Sequence, residues 1–218
     1  MSEVIKLSEA TQNLPKLENE IRKGGVIVIP IEGSYVYLAD AFNYSAVKRI
    51  HELRGDPEGT AYSVAIGSEA TLNGICANVT EEVKKLIKEF WPGPLTLFLQ
   101  PNSALNWNLG DNGELGEFAV SMPKSELLKN LANNIGPLAL ASAAIAGQGA
   151  APKLENVGAF LGEINLYVDG GDLAETQSST VVRSKVIGLN ELEIVRLGAI
   201  SLQQLQNILP EITLGERL

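Results

Sequence analysis

The stretch "GGVIVIPIEGSYVYLADAF", Gly24 to Phe42, sets an apolar run directly before a proline. Valine and isoleucine are stiff at the first side-chain torsion and pack well on a pleated surface, so "VIVIP" reads as a buried strand. The segment after Pro30 carries Glu32, Gly33, Ser34 and two tyrosines, and reads as a loop shaped to hold something. Outward from this strand, short apolar runs alternate with segments of helical periodicity, which selects a layered α/β fold over an all-helical or all-β one.

A helix is expected over Ser8 to Lys23, capped by Ser8 and kinked or interrupted by Pro15. A second starts at Ser45, buries Ala46, Val47, Ile50 and Leu53 on one face and stops at Gly55. Strand "SVAIG", a short helix near Thr71 and a helix from Thr80 follow, the last with a capping threonine and two early glutamates. The second half reads as strands "LTLFL" and "EFAVSM", a helix over Ser125 to Asn134, strand "PLALAS", a helix near Leu154 to Leu161, and strand "INLYVDGG". Strands "STVV", "KVIGL" and "LEIVR" come next, then a helix from Ser201. Strands joined by such unequal connections imply a mixed, twisted sheet. The Asn- and Gly-rich stretch Pro101 to Glu117 is a surface excursion rather than a domain boundary, because strand patterns resume directly after it.

At 218 residues with 45% hydrophobic content the chain has enough apolar side chains for a sizeable core. Seventeen Lys and Arg against 26 Asp and Glu give a net charge of -9, which disfavours non-specific binding to nucleic acid or to anionic membrane. There is no apolar run of membrane-spanning length and no secretory-type apolar core at the N-terminus, and the single cysteine, Cys76, sits among apolar neighbours as a core residue, so a reducing cytoplasm is expected. Phosphate-binding glycine loops, dinucleotide fingerprints, paired zinc ligands and nucleophile elbows are all missing. The lone His51 lies within a helix beside Glu52 and reads as a surface or cap residue.

The pieces "VIVIPIEGSYVYLADAF", "FWPGPLTLFL", "WNLGD", "GPLALASAAIAG", "YVDGG", "SSTVV" and "IVRLGAIS", in that order over residues 24–201, resemble the YrdC-like threonylcarbamoyl-AMP synthases, especially the actinobacterial ones. The resemblance implies a single α/β domain over residues 1–218, with a twisted mixed sheet forming a concave groove and helices packed outside. It implies a reaction of ATP, L-threonine and bicarbonate, normally with magnesium, that makes threonylcarbamoyl-AMP for tRNA modification. ATP and magnesium would be substrates, with no permanently bound cofactor and no protein-held metal. The implied nucleotide-binding residues are Arg54, Thr96, Ser142 and Arg196, and the implied substrate-binding residues are Tyr35 and Ser179; no catalytic residue is assigned.

Set against that pattern, several positions differ. Ile31 and Gly33 stand where the family has threonines. Asp56 and Glu58 take the places of two cations that follow Arg54, Ser121 replaces the arginine of an Arg-x-Pro element, and Ala141, Ala144 and Ala146 replace polar groups. Each reversed charge contact at about 4 Å would oppose a triphosphate by roughly 4 kcal/mol at an effective dielectric near 20. These substitutions imply a homologue whose synthase activity is lost or much reduced, serving as a binding, regulatory or scaffold module. The alternatives are an active synthase and an enzyme for another nucleotide or small acid. The implied partners are a nucleotide or small acid in the groove and a protein partner, with weak or no RNA binding and no membrane.

Overall fold

The computed structural model describes residues 2–114, 116–158, 163–184 and 192–215. Its opening strand is one arm of a hairpin. Strand β1 (Glu3–Lys6) precedes it at the sheet edge; β2 (Ile27–Ile31) then turns through Glu32 and Gly33 into β3 (Ser34–Asp40). The expected loop is therefore a two-residue turn, and both tyrosines belong to a strand. Pro30 is tolerated because its partner Tyr35 uses its backbone on the far side, donating to the Ala151 carbonyl at 2.8 Å and accepting from Ala143 at 3.0 Å. Period-two alternation then splits the hairpin: Ile27, Ile29, Val36 and Leu38 go to one apolar cluster, and Val28, Tyr35, Tyr37 and Ala39 to another.

Around this hairpin the sheet grows both ways. The other strands are β4 (Ser63–Ala65), β5 (Leu95–Leu99), β6 (Phe118–Ser121), β7 (Leu138–Ser142), β8 (Leu166–Asp169), β9 (Thr180–Ser184), β10 (Leu192–Arg196) and β11 (Thr213–Leu214). Among the described residues they form one eleven-stranded mixed sheet in the order β1-β8-β2-β3-β7-β4-β6-β5-β9-β10-β11. The expected helix near Leu154 is a 3-10 turn, Leu154–Asn156, in its described part. The rest of that expectation, and strand "KVIGL", reach outside the described residues.

The helices cover the sheet where apolar stripes meet it. Helix α1 (Leu14–Arg22) inserts Leu17 and Ile21, one turn apart, and begins with Pro15 in its first turn. Proline starts this helix rather than kinking it, since first-turn N–H groups have no intrahelical acceptor. Helix α2 (Tyr44–Arg54) buries the four residues its periodicity marked, but its cap is Asn43, which accepts from the Ala46 N–H at 3.1 Å. Helix α3 (Glu69–Ile75) is short, and Thr80 caps α4 (Glu81–Phe90) as expected. Ser125 caps α5 (Glu126–Ile135), and Ser201 with Gln204 forms a capping box on α6 (Leu202–Ile208). The excursion after β5 is anchored by buried Trp107 and Leu109, with Trp107 edge-on to Phe118 at 5.0 Å.

Leu128, fully buried where α5 meets the sheet, is expected to cost about 2–5 kcal/mol when changed to alanine. Ser201→Ala, a cap at the surface, is expected to cost about 1 kcal/mol. Urea unfolding of the two variants checks both values and their ranking.

Candidate functional site

Helix α5 covers Ala65 of β4 and Leu138 of β7, but not the whole of that sheet face. Two residues along the same strands the face carries Ser63 and Leu140, which stand opposite each other. Thr96 and Ser121 form the neighbouring pair on β5 and β6. Where the helix cover ends, these four side chains become the floor of an open groove of about 440 Å³. One wall is the Ile31–Ser34 turn, another is Pro123 and Lys124 ahead of α5, and the third is Thr176–Ser179 leading into β9.

The walls are tied together by hydroxyls and backbone groups. Thr96 Oγ1 and Ser179 Oγ are 2.9 Å apart, and Arg196 donates to the Ser179 carbonyl at 2.9 Å. Thr180 is fully buried and fully used: its hydroxyl donates to the Ile200 carbonyl at 2.7 Å and accepts from the N–H groups of Gly198 and Ile200. A Cβ at Gly198 would lie 2.1 Å from the Ser178 carbonyl oxygen, so only glycine lets this segment pack on the groove wall. Gly33 adopts φ +73°, and a side chain there would meet Thr176 Oγ1 at 2.1 Å. The space a threonine would fill at Gly33 is taken by a threonine from another segment, whose hydroxyl donates to the Glu32 carbonyl at 3.3 Å.

The expected site residues separate into groups. Thr96, Ser179, Ser121, Ile31 and Gly33 meet in the groove, and Arg196 reaches it through the Ser179 carbonyl. Arg54, Asp56, Ser142, Ala144 and Ala146 form a second cluster at the C-terminal end of α2. Arg54 binds Asp56 through Nε at 2.7 Å and Nη2 at 3.1 Å. Its Nη1 donates to the carbonyls of Ser142 and of Ala144, the latter at 2.8 Å, and its own carbonyl accepts from Ala146 N–H. The two side chains are 15% and 4% exposed. Asp56 is thus corrected: it does not present a carboxylate to the groove but neutralises the arginine that the resemblance assigned to phosphate.

Burial pushes the Asp56 carboxyl upward, and its hydrogen bonds from Arg54 and Tyr62 outweigh that, holding it below the usual carboxylate range. Burial, then Asp56, raises the Tyr62 phenol. His51, expected as a surface or cap residue, is partly buried in the last turn of α2: its carbonyl accepts from the Gly55 N–H at 2.8 Å, and its ring stacks on Tyr62 at 4.1 Å with Nε2 buried. Burial drives the Cys76 thiol to about 12, as fits a core residue.

Tyr35 does not line the groove. It is fully buried on the opposite face of β3, where its hydroxyl donates to the Gly171 carbonyl at 2.9 Å and accepts from the Gly170 N–H at 2.9 Å. Glu58 is exposed in a turn, and Ala141 is buried in β7. The Ser142 hydroxyl is buried without a hydrogen-bond partner among the described residues. Sequence reasoning missed Ser63, Thr176, Gln177, Ser178 and Lys124. The polar run "ETQSST" before a strand was the available signal for the third wall, and the cation three residues after Ser121 was the signal for Lys124.

A model of the Sua5/YciO/YrdC family, described as telomere recombination, matches residues 19–198. A Mycobacterium leprae protein provisionally named threonylcarbamoyl-AMP synthase is 31% identical over 215 residues, covering 96% of this chain and 94% of its own. The Pyrococcus abyssi threonylcarbamoyl-AMP synthase is 34% identical over 196 residues, 88% of this chain and 56% of that one. The crystal structure of P. abyssi Sua5 complexed with L-threonine superposes with a TM-score of 0.86 at 28% identity, over 99% of this chain and 62% of that one. The chain therefore spans about three fifths of the archaeal protein and nearly all of the mycobacterial one.

Asp56→Asn removes the charge that Arg54 grips and is expected to destabilise the protein by about 1.5–3 kcal/mol at neutral pH. The folded carboxyl titrates below its ordinary value of 3.8, so its contribution is fully present above that value and is lost as pH falls through the folded one. Urea unfolding of both proteins should show a constant difference between pH 5 and 8 that shrinks below about pH 4.

Proposed function

The chain belongs to the Sua5/YciO/YrdC family, and from that premise we propose that it keeps the family groove as a small-molecule binding site while making little or no threonylcarbamoyl-AMP. The observation that carries this reading is the engagement of Arg54. Adenylyl transfer from ATP requires cations or oriented donors where phosphate charge develops. Here the guanidinium is taken up by one carboxylate and two backbone carbonyls, and the next positions offer Asp56 and Glu58. Ser121 supplies a hydroxyl in place of a planar bidentate cation.

Magnesium would enter with ATP. Glu32 is the one carboxylate lining the groove among the described residues, and one of its oxygens already accepts from the Lys124 N–H. Magnesium that accompanies a nucleotide is commonly held by one or two carboxylates together with the phosphates, and Glu32 is the groove carboxylate among the described residues that would take that part.

A second reading, an active synthase, is favoured by the Thr96–Ser179 contact and by Arg196 at the groove wall. Pyrophosphate release with ATP, L-threonine, bicarbonate and magnesium decides between them. Each missing charged donor typically removes about 10²–10³ in rate, so turnover at least about 10²-fold below that of the P. abyssi enzyme is expected. Threonine-dependent release at a comparable rate would establish the second reading instead.

Double-stranded RNA is a poor partner on this reading, because the net charge is -9 and one cation lines the groove among the described residues. Anisotropy titration with tRNA at about 150 mM salt should give a dissociation constant no tighter than the non-specific range of roughly 10⁻⁶–10⁻⁴ M.

A further inference from the structure

The charge inventory of the groove is short. Among the described residues that line it, Glu32 and Lys124 alone are ionisable. Glu32 is held at the turn by two contacts: its carboxylate accepts from the backbone N–H of Lys124, and its carbonyl accepts from Thr176. Lys124 runs the other way. A Cβ built on Gly93 would lie 3.6 Å from Lys124 Cε, so the lysine stem passes along the glycine, which is itself fixed by donating to the Met122 carbonyl at 2.9 Å. The ammonium group makes no ion pair among the described residues.

We propose that Lys124 is the anion anchor of the groove, and that the ligand it selects is a small acid with a single carboxylate or phosphoryl head rather than a nucleoside triphosphate. This rests on the reading of the groove as a binding site without synthase turnover. One ammonium, with Glu32 on the neighbouring wall, offsets one anionic head. A triphosphate would bring several charges into a groove lined by one cation among the described residues, Arg54 being engaged in the second cluster. The floor and the third wall supply what a carboxylate or phosphoryl oxygen needs besides charge: hydroxyl donors at Ser121 and at one member of the Thr96–Ser179 pair, while the Ser63 hydroxyl is donated to the Leu140 carbonyl at 3.0 Å. A volume of about 440 Å³ suits a small ligand. Lys124 lies three residues beyond Ser121, on the wall that rises from that part of the floor, so the positive charge is displaced along the groove, and the ligand it holds is displaced with it.

Isothermal titration calorimetry with inorganic phosphate, L-lactate, AMP and ATP tests this on the wild type, Lys124→Ala and Lys124→Arg. At least one of the first three is expected to bind, with affinity falling about tenfold or more in Lys124→Ala and recovering in Lys124→Arg; ATP is expected to bind no more tightly than AMP. The phosphate and lactate arms separate a phosphoryl head from a carboxylate one. Lys124 is exposed and its backbone N–H survives substitution, so thermal unfolding of Lys124→Ala should match the wild type and show that the change is local. Binding indifferent to Lys124→Ala, ATP about tenfold tighter than AMP, or no binding of any probe at millimolar concentration would overturn the proposal. The pyrophosphate assay, run on the same preparations, reports separately on the absence of synthase turnover, which none of those outcomes alters.

Discussion

Arg54 sits where three parts of the chain converge, and its guanidinium holds all of them. Two nitrogens grip Asp56, a third reaches the carbonyls of Ser142 and Ala144, and the Arg54 carbonyl receives the N–H of Ala146. The end of α2, the turn after it and the segment leaving β7 are fastened through one side chain. A buried arginine is tolerable only when its donors are met, and here the protein meets them from within. Four of its five guanidinium N–H donors are used in this way, which makes Arg54 a structural joint.

The groove follows from a different constraint, the two-residue period of the strands. The strands beneath α5 continue past the helix, and their next residues on that face border open space rather than the helix's apolar stripe. Ala65 gives way to Ser63 on β4, while Leu138 and Leu140 on β7 stay apolar and carry the floor from covered to open. On the opposite face no such change occurs: Val64, Leu97 and Val120 remain in one cluster with α2 and α4. One sheet therefore presents a continuous core on one side and, on the other, a core that ends in a site.

What could be read along the chain was local. The run "VIVI", the buried stripe of α2 and the cap Thr80 each depend on neighbours a few residues away, and each was found where expected. The hairpin was missed because Pro30 argues against a strand interior unless its partner's backbone is known to bond elsewhere, and Ala151 and Ala143 lie more than a hundred residues on. Asp56 was placed in the groove because its motif position suggested it. Its actual direction depends on Tyr62 and on carbonyls from the other half of the molecule. Thr176 filling the space beside Gly33 is likewise a tertiary fact that spacing cannot encode.

The pairing of Arg54 with Asp56 also has a historical consequence. Two residues apart in the chain and packed side by side, they form a ratchet. A lineage that changed Asp56 to a cation would set two positive charges against each other in a pocket where the present side chains are 15% and 4% exposed. A lineage that changed Arg54 first would strand a buried carboxylate and leave the carbonyls of Ser142 and Ala144 without their donor. Either single change costs stability, so the two positions are expected to change together rather than one at a time.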